Sequence, residues 1–270
     1  PIGTESAVAW TGTELFVWGG EGDGEWPARE FYAHGQLYNP DTDSWRVIAE
    51  SPLSARGAPA VAWTGEEVIV HGGDTRPTVP EETNYTERYG DGAAYDPDAN
   101  SWRSLADGPV IADDGIETAV AVWRGDSLFL WNANAYADWY FAIYDPGADR
   151  WTEFAHKPAI DHYNGSAAHA ATDTGFIFWG GGQGEGANSN WKDGAIFDSA
   201  SGRWDRLAPS PLDARAALTG VWTRTEFIVW GGYSTQQATL LGNGAIYDPS
   251  ANTWQHITGV GAPAARESAA

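Results

Sequence analysis

The chain has 270 residues with 37 Asp and Glu against 15 Lys and Arg, a formal net charge of −22. Such a surface repels phosphate backbones, which argues against a nucleic-acid partner, and it suits cations, calcium in particular. With no Cys there is no disulfide framework, thiolate nucleophile or Cys-based zinc site, and no apolar run is long enough to insert into a membrane as a helix.

From the N-terminus, SAVAWTGTE (6–14) reads as a strand and its turn, and LFVWGG (15–20) as a buried strand with a sharp glycine exit. YNPDTDSW (38–45) then reads as a hairpin, in which Pro fixes φ and small polar residues close the turn. The order returns as APAVAWTGEE (58–67), VIVHGG (68–73) and YDPDANSW (95–102), and again as TAVAVWRGDS (118–127), LFLWNA (128–133) and YDPGADRW (144–151). FIFWGG (176–181) with FDSASGRW (197–204), and FIVWGG (227–232) with YDPSANTW (247–254), complete the series. The closing residues Trp45, Trp102, Trp151, Trp204 and Trp254 are 57, 49, 53 and 50 residues apart.

Each unit predicts four strands, A to D, that can bury their faces only against neighbouring units, and radial closure is the natural solution. The expectation is an all-β fold, a single β-propeller over 1–270, with five four-stranded blades at about 4–49, 55–106, 115–155, 164–208 and 214–258 and a tail at 259–270. PAARESAA (263–270) reads like the start of another strand A, compare PLSARGAPA (52–60), and the count becomes six if the chain is a fragment.

A glycine pair after an apolar strand, then Tyr, then Trp seven residues later, at about 50 residues per unit, resembles the Kelch-repeat β-propeller family from about Glu5 to Ile257. Asn132-Ala133 in place of Gly-Gly and Phe197 in place of Tyr depart from the pattern. The resemblance implies partner binding, as in many members, or sugar chemistry, as in sialic-acid mutarotases. The copper oxidases among the relatives use a Cys–Tyr cofactor, which a chain without Cys cannot form.

If strand A runs from one face to the other, the short A–B and C–D turns share one face. The B–C loops and D–A linkers share the opposite face. The B–C segments 21–34, 74–91, 133–141, 182–193 and 233–243 are long and dissimilar, which places the working site on their face. Arg56 and Arg215 fall seven residues before Trp63 and Trp222, at the start of strand A and the mouth of the central channel, where two guanidinium groups suit a carboxylate or other anion. Pairing with acidic loop residues is their other reading. Asn164 holds the equivalent position in blade 4.

Asn132 and the loop aromatics Trp26, Trp139, Tyr140 and Trp191 are further candidates for ligand contact, and the rings also suit anchoring of the loops themselves. Acid–base candidates are His71, Asp114, Glu117, His162 and His169, none in a diagnostic spacing. His71 alone interrupts a series of Trp that closes strand B.

Two functions follow. One is a ligand-binding propeller, expected as a monomer, that recognises a carbohydrate or a protein on the loop face. The other is a sugar-processing enzyme, mutarotase-like or an acid–base lyase, with its site at the mouth of the central channel. No cofactor is predicted, and a divalent cation such as calcium is compatible. The acidic, Cys-free composition with only Lys157 and Lys192 gives the expectation of a secreted or periplasmic bacterial protein.

Overall fold

A computed structural model of the chain describes residues 4–22, 30–75, 87–110, 120–132, 140–154, 160, 166–182 and 190–267. Among these, strands form five four-stranded antiparallel sheets and one short ribbon, with no helix. The first sheet joins β1 (Ala7–Trp10), β2 (Leu15–Trp18), β3 (Gly35–Asn39) and β4 (Ser44–Val47), and the second β5 (Ala60–Trp63), β6 (Val68–His71), β7 (Gly92–Asp96) and β8 (Ser101–Ser104). The third joins β9 (Val120–Arg124), β10 (Ser127–Asn132), β11 (Tyr140–Asp145) and β12 (Arg150–Glu153). The fourth joins β13 (Ala168–Ala171), β14 (Gly175–Trp179), β15 (Gly194–Asp198) and β16 (Arg203–Arg206). The fifth is built from β17 (Thr219–Trp222), β18 (Phe227–Trp230), β21 (Gly244–Asp248) and β22 (Thr253–His256), with the ribbon β19 (Tyr233–Ser234) and β20 (Thr239–Leu240) between its second and third strands. Every sheet keeps the sequential order A-B-C-D, as expected for the blades of a β-propeller.

The C–D hairpin shows why the repeat has its signature. The Asp or Asn after the aromatic residue folds back on its own turn: Asp96 Oδ1 accepts from the backbone N–H of Asp98 and Ala99, both at 2.9 Å. The turn closes on a residue with positive φ, namely Asp43, Asn100, Asp149, Gly202 or Asn252. In four blades the tyrosine hydroxyl donates to that residue: Tyr38 to Asp43, Tyr95 to Asn100, Tyr144 to Asp149 and Tyr247 to Asn252, at 2.7–2.8 Å. In blade 4 both ends change together. Phe197 has no hydroxyl, Gly202 has no acceptor, and the Phe154 ring packs edge-on against Phe197 at 4.9 Å instead.

The same turn grips the preceding blade. Asn100 Oδ1 accepts from Ala49 N–H at 2.9 Å while Trp102 Nε1 donates to the Ala49 carbonyl at 3.0 Å. Asp149 and Trp151 hold Ala106 in the same way, and Asn252 and Trp254 hold Ala208. Trp102, Trp151 and Trp254 are therefore seam residues, each with its ring against its own hairpin and its N–H on the preceding blade.

The chain divides into two compact units, Pro1–Asn132 with Tyr140–Glu153, and Ala133–Trp139 with Phe154–Ala270. In the first, blades 1 to 3 place their first strands side by side, β1 by β5 and β5 by β9. The core between blades 1 and 2 holds Phe16, Trp18, Leu37, Val68, Val70 and Tyr95, and Ile69, Leu128 and Tyr144 continue it towards blade 3. In the second unit β13 lies by β17, over Ile177, Trp179, Phe227, Val229 and Tyr247.

Candidate functional site

The B–C loops of blades 1, 4 and 5 are rooted by one repeated set of backbone bonds. In blade 1, Gly20 N–H donates to the Arg56 carbonyl at 2.9 Å, Tyr32 N–H to the Gly20 carbonyl at 2.9 Å, and Arg56 N–H to the Tyr32 carbonyl at 3.3 Å. In blade 4, Gly181, Trp191 and Arg215 stand in these places, and in blade 5 Gly232, Leu241 and Arg266. The glycine pairs run at positive φ, 71° and 88° at Gly19 and Gly20. A Cβ on Gly19 would lie 2.9 Å from the Arg56 carbonyl oxygen, so the linker backbone rests directly on the strand exit. In blade 3 the ladder instead runs one residue further, pairing Asn132 with Tyr140.

Arg56 is fully buried, and its guanidinium reaches from the linker into blade 2. Nε donates to the Ser54 carbonyl at 2.9 Å and Nη1 to the Gly72 carbonyl at 3.2 Å. Nη1 and Nη2 form a bidentate pair with Asp91 at 2.6 and 3.1 Å. The Tyr89 ring lies 3.8 Å from its Cζ. Burial alone would raise the Asp91 carboxyl, but the hydrogen bonds and charge of Arg56 outweigh it and hold the group below the usual carboxylate range.

Arg215 repeats the geometry in blade 5 with different partners. Nε donates to the Asp213 carbonyl at 3.0 Å, and Nη1 to the Gly231 carbonyl at 3.0 Å. Nη1 also meets Asn243, its carbonyl at 3.2 Å and its Oδ1 at 2.9 Å, where Arg56 meets Asp91. Burial pushes this guanidinium down to about 10, so it is charged at neutral pH.

His71 takes the strand-closing place that Trp18 and Trp179 hold in their blades. It is fully buried, its ring 4.5 Å from that of Trp151, and its Nε2 stands 3.2 Å from the Pro109 carbonyl. That carbonyl replaces the Ala33 and Lys192 carbonyls that accept from Trp18 and Trp179. Nε2 therefore carries the proton, and Nδ1 is buried with no hydrogen-bond partner. Gly108 makes room for the stack, since a Cβ there would fall 2.5 Å from Trp151 and 2.7 Å from His71. Burial lowers the His71 pKa to about 4. His169 is likewise lowered by burial, with Nδ1 3.1 Å from the Ala167 carbonyl and its ring stacked 6.0 Å from Phe176.

Trp191 is half-buried at the root of the blade 4 loop, where its backbone bonds to Gly181 and Arg215. Asp114, Glu117, His162, Asn164, Trp26 and Trp139 lie outside the described residues. Among the described residues no three His, Asp or Glu side chains converge as a metal cluster, and no helix is long and apolar enough to cross a membrane. Sequence reasoning missed Asp91 and Asn243. Both immediately precede the glycine that opens the third strand, as His34 and Asp193 do, and that shared offset is the signal that marks them.

No protein-family model matches the chain. A Kelch-like protein of Aspergillus terreus, terF, is 40% identical over 67 residues, which is 25% of this chain and 14% of that protein. The chain thus matches far less than two thirds of that relative's length. Together with the four-stranded sheets, this similarity supports a Kelch-type propeller.

Proposed function

We propose that the chain is a ligand-binding propeller that recognises a carbohydrate or a protein through the B–C loops and D–A linkers. The observation that carries this reading is a constant root under variable loops. Blades 1, 4 and 5 hold the strand exit, loop return and linker with the same backbone bonds, while the segments between differ in length and composition. A repeated scaffold with one dissimilar set of loops is the arrangement by which propellers shape a binding surface. Binding is favoured over sugar chemistry because His71 is held in an aromatic stack with its pKa near 4, remote from the range useful to a general base at neutral pH. The proposal includes action outside the cytoplasm and a monomeric state.

A glycan array and a pull-down with the whole chain test the reading. Replacing Trp26 and Trp139 together by Ala, with the half-buried Trp191 kept, should abolish capture of whatever the wild type retains, the unfolding midpoint serving as the control for folding. Retention of the same ligand by the double variant would remove the loop face from the binding site.

A further inference from the structure

The last described residues repeat a connection made twice earlier in the chain. Arg56 and Arg215 each lead from one blade into the next, with the backbone clipped to the strand exit behind, at Gly20 or Gly181. Their guanidinium groups reach forward, Arg56 to the Gly72 carbonyl and Asp91, and Arg215 to the Gly231 carbonyl and Asn243. Arg266 makes the backward half in full. Gly232 N–H donates to its carbonyl at 2.8 Å, and its own N–H donates to the Leu241 carbonyl at 3.3 Å. Its Nε folds onto the Ala264 carbonyl at 3.1 Å, as Arg56 and Arg215 fold onto Ser54 and Asp213. The fit is close, since a Cβ on Gly231 would lie 2.6 Å from the Arg266 carbonyl oxygen. The forward half differs: Arg266 is exposed, whereas the other two arginines are fully buried.

The onward side of blade 5 is in the same condition. Blade 4 holds blade 5 through Ile177, Trp179 and Ile196, with the Trp254 ring 5.6 Å from that of Trp179. Blade 5 repeats this set as Ile228, Trp230 and Ile246 at the same places in its strands. Ile177 and Trp179 are fully buried, but Ile228 and Trp230 are only half-buried, and Val221, in register with Ile228, is 53% exposed. Trp179 Nε1 donates to the Lys192 carbonyl, while Trp230 Nε1 has no acceptor. Blade 1 is built for no such arginine. Its own lead-in has Gly3 at this place, His34 stands where blades 2 and 5 have Asp91 and Asn243, and its Gly19 carbonyl accepts from the Ser6 hydroxyl at 3.0 Å.

We propose that the onward side of blade 5 receives a sixth blade of the same repeat, continuous with the lead-in that ends in Arg266. The recognition chemistry is that of the seam between blades 4 and 5. A strand-exit glycine carbonyl and a carboxylate or amide just before the third strand take the Arg266 guanidinium, and a closing Trp stacks on Trp230. In a repeat array each unit is stabilised through its neighbours, so this blade holds blade 5 as blade 5 holds blade 4. The inference is independent of the loop-face reading.

The test adds a copy of residues 216–258 directly after Arg266, which then stands before the copy as Arg215 stands before blade 5. The extended chain should unfold in one transition, at a higher denaturant midpoint than the 270-residue chain. The fluorine NMR signal of fluorotryptophan at Trp230, assigned with Trp230→Phe, should lose its solvent exposure. Arg266→Ala should leave the midpoint of the 270-residue chain unchanged and lower that of the extended chain. A copy that unfolds in a separate transition with Trp230 still exposed, or an Arg266→Ala effect equal in both chains, overturns the proposal. So does a 270-residue chain that dimerises on sedimentation with Trp230 shielded, since a second copy is then the occupant.

Discussion

His71 should make the fold acid-sensitive in a defined window. The folded chain keeps the imidazole neutral with a pKa of about 4, against about 6.5 when unfolded. Below about 6.5 the unfolded state takes up a proton that the folded state refuses, so stability falls with pH and levels out once pH passes below about 4. A gap of about 2.5 pH units corresponds to roughly 3 kcal/mol. The cause is burial, which the Pro109 carbonyl and the charges of Asp91 and Asp107 only partly oppose.

The assay is urea unfolding of the wild type and of His71→Phe from pH 8 to pH 4. Phe keeps a ring against Trp151 and removes the titration, and His169, lowered in the same direction, contributes equally to both proteins. The wild type should lose about 3 kcal/mol more than the variant across the window. The NMR titration of His71 should remain flat down to about pH 5. Parallel stability curves, or a His71 midpoint near 6.5, would refute the argument that the ring is held neutral by burial.

The clip in blade 2 and the altered hairpin of blade 4 yield further expectations. Arg56→Ala should cost about 3 kcal/mol, the lower end for breaking a buried pair, because Asp91 is left partly solvated; denaturant unfolding checks it, and a cost below about 1 kcal/mol would make the clip a bystander. In blade 4, Phe197→Tyr alone should give no gain, whereas adding Gly202→Asn supplies an acceptor for the new hydroxyl. A double-mutant cycle should show a favourable coupling of about 1 kcal/mol, and additivity would mean that the Tyr–Asn bond of the other blades is incidental.

The fold was legible because its punctuation is local. Asp96 bonds its own turn, Asn100 closes it at positive φ, and Trp102 follows two residues later, all within one stretch of sequence. The expected four-strand order holds in every blade. The departure at Asn132 reads differently in three dimensions, since the strand runs on through it where the other blades turn away on glycine. That Arg56 pairs with an acidic loop residue was one of its two readings, but which residue was not legible. Arg56 lies in one blade's lead-in and Asp91 at the foot of a loop 35 residues later, with no spacing rule to join them. His71 stood out as a lone His among Trp, and the structure accounts for it by packing: a smaller ring, a Gly108 that admits it, and a carbonyl for its N–H.

The differences between blades are of two kinds, and they carry different information. At Phe197 and Gly202 both members of a bonded pair are gone, and neighbouring apolar surface closes over the place, a change that can be nearly neutral in free energy. At Arg215 only one member has changed. The cation and its buried position persist while the anion is replaced by Asn243, which leaves a cost that full replacement would have removed. A repeat that tolerates paired loss elsewhere has an inexpensive route to an apolar residue at position 215, and it is not taken.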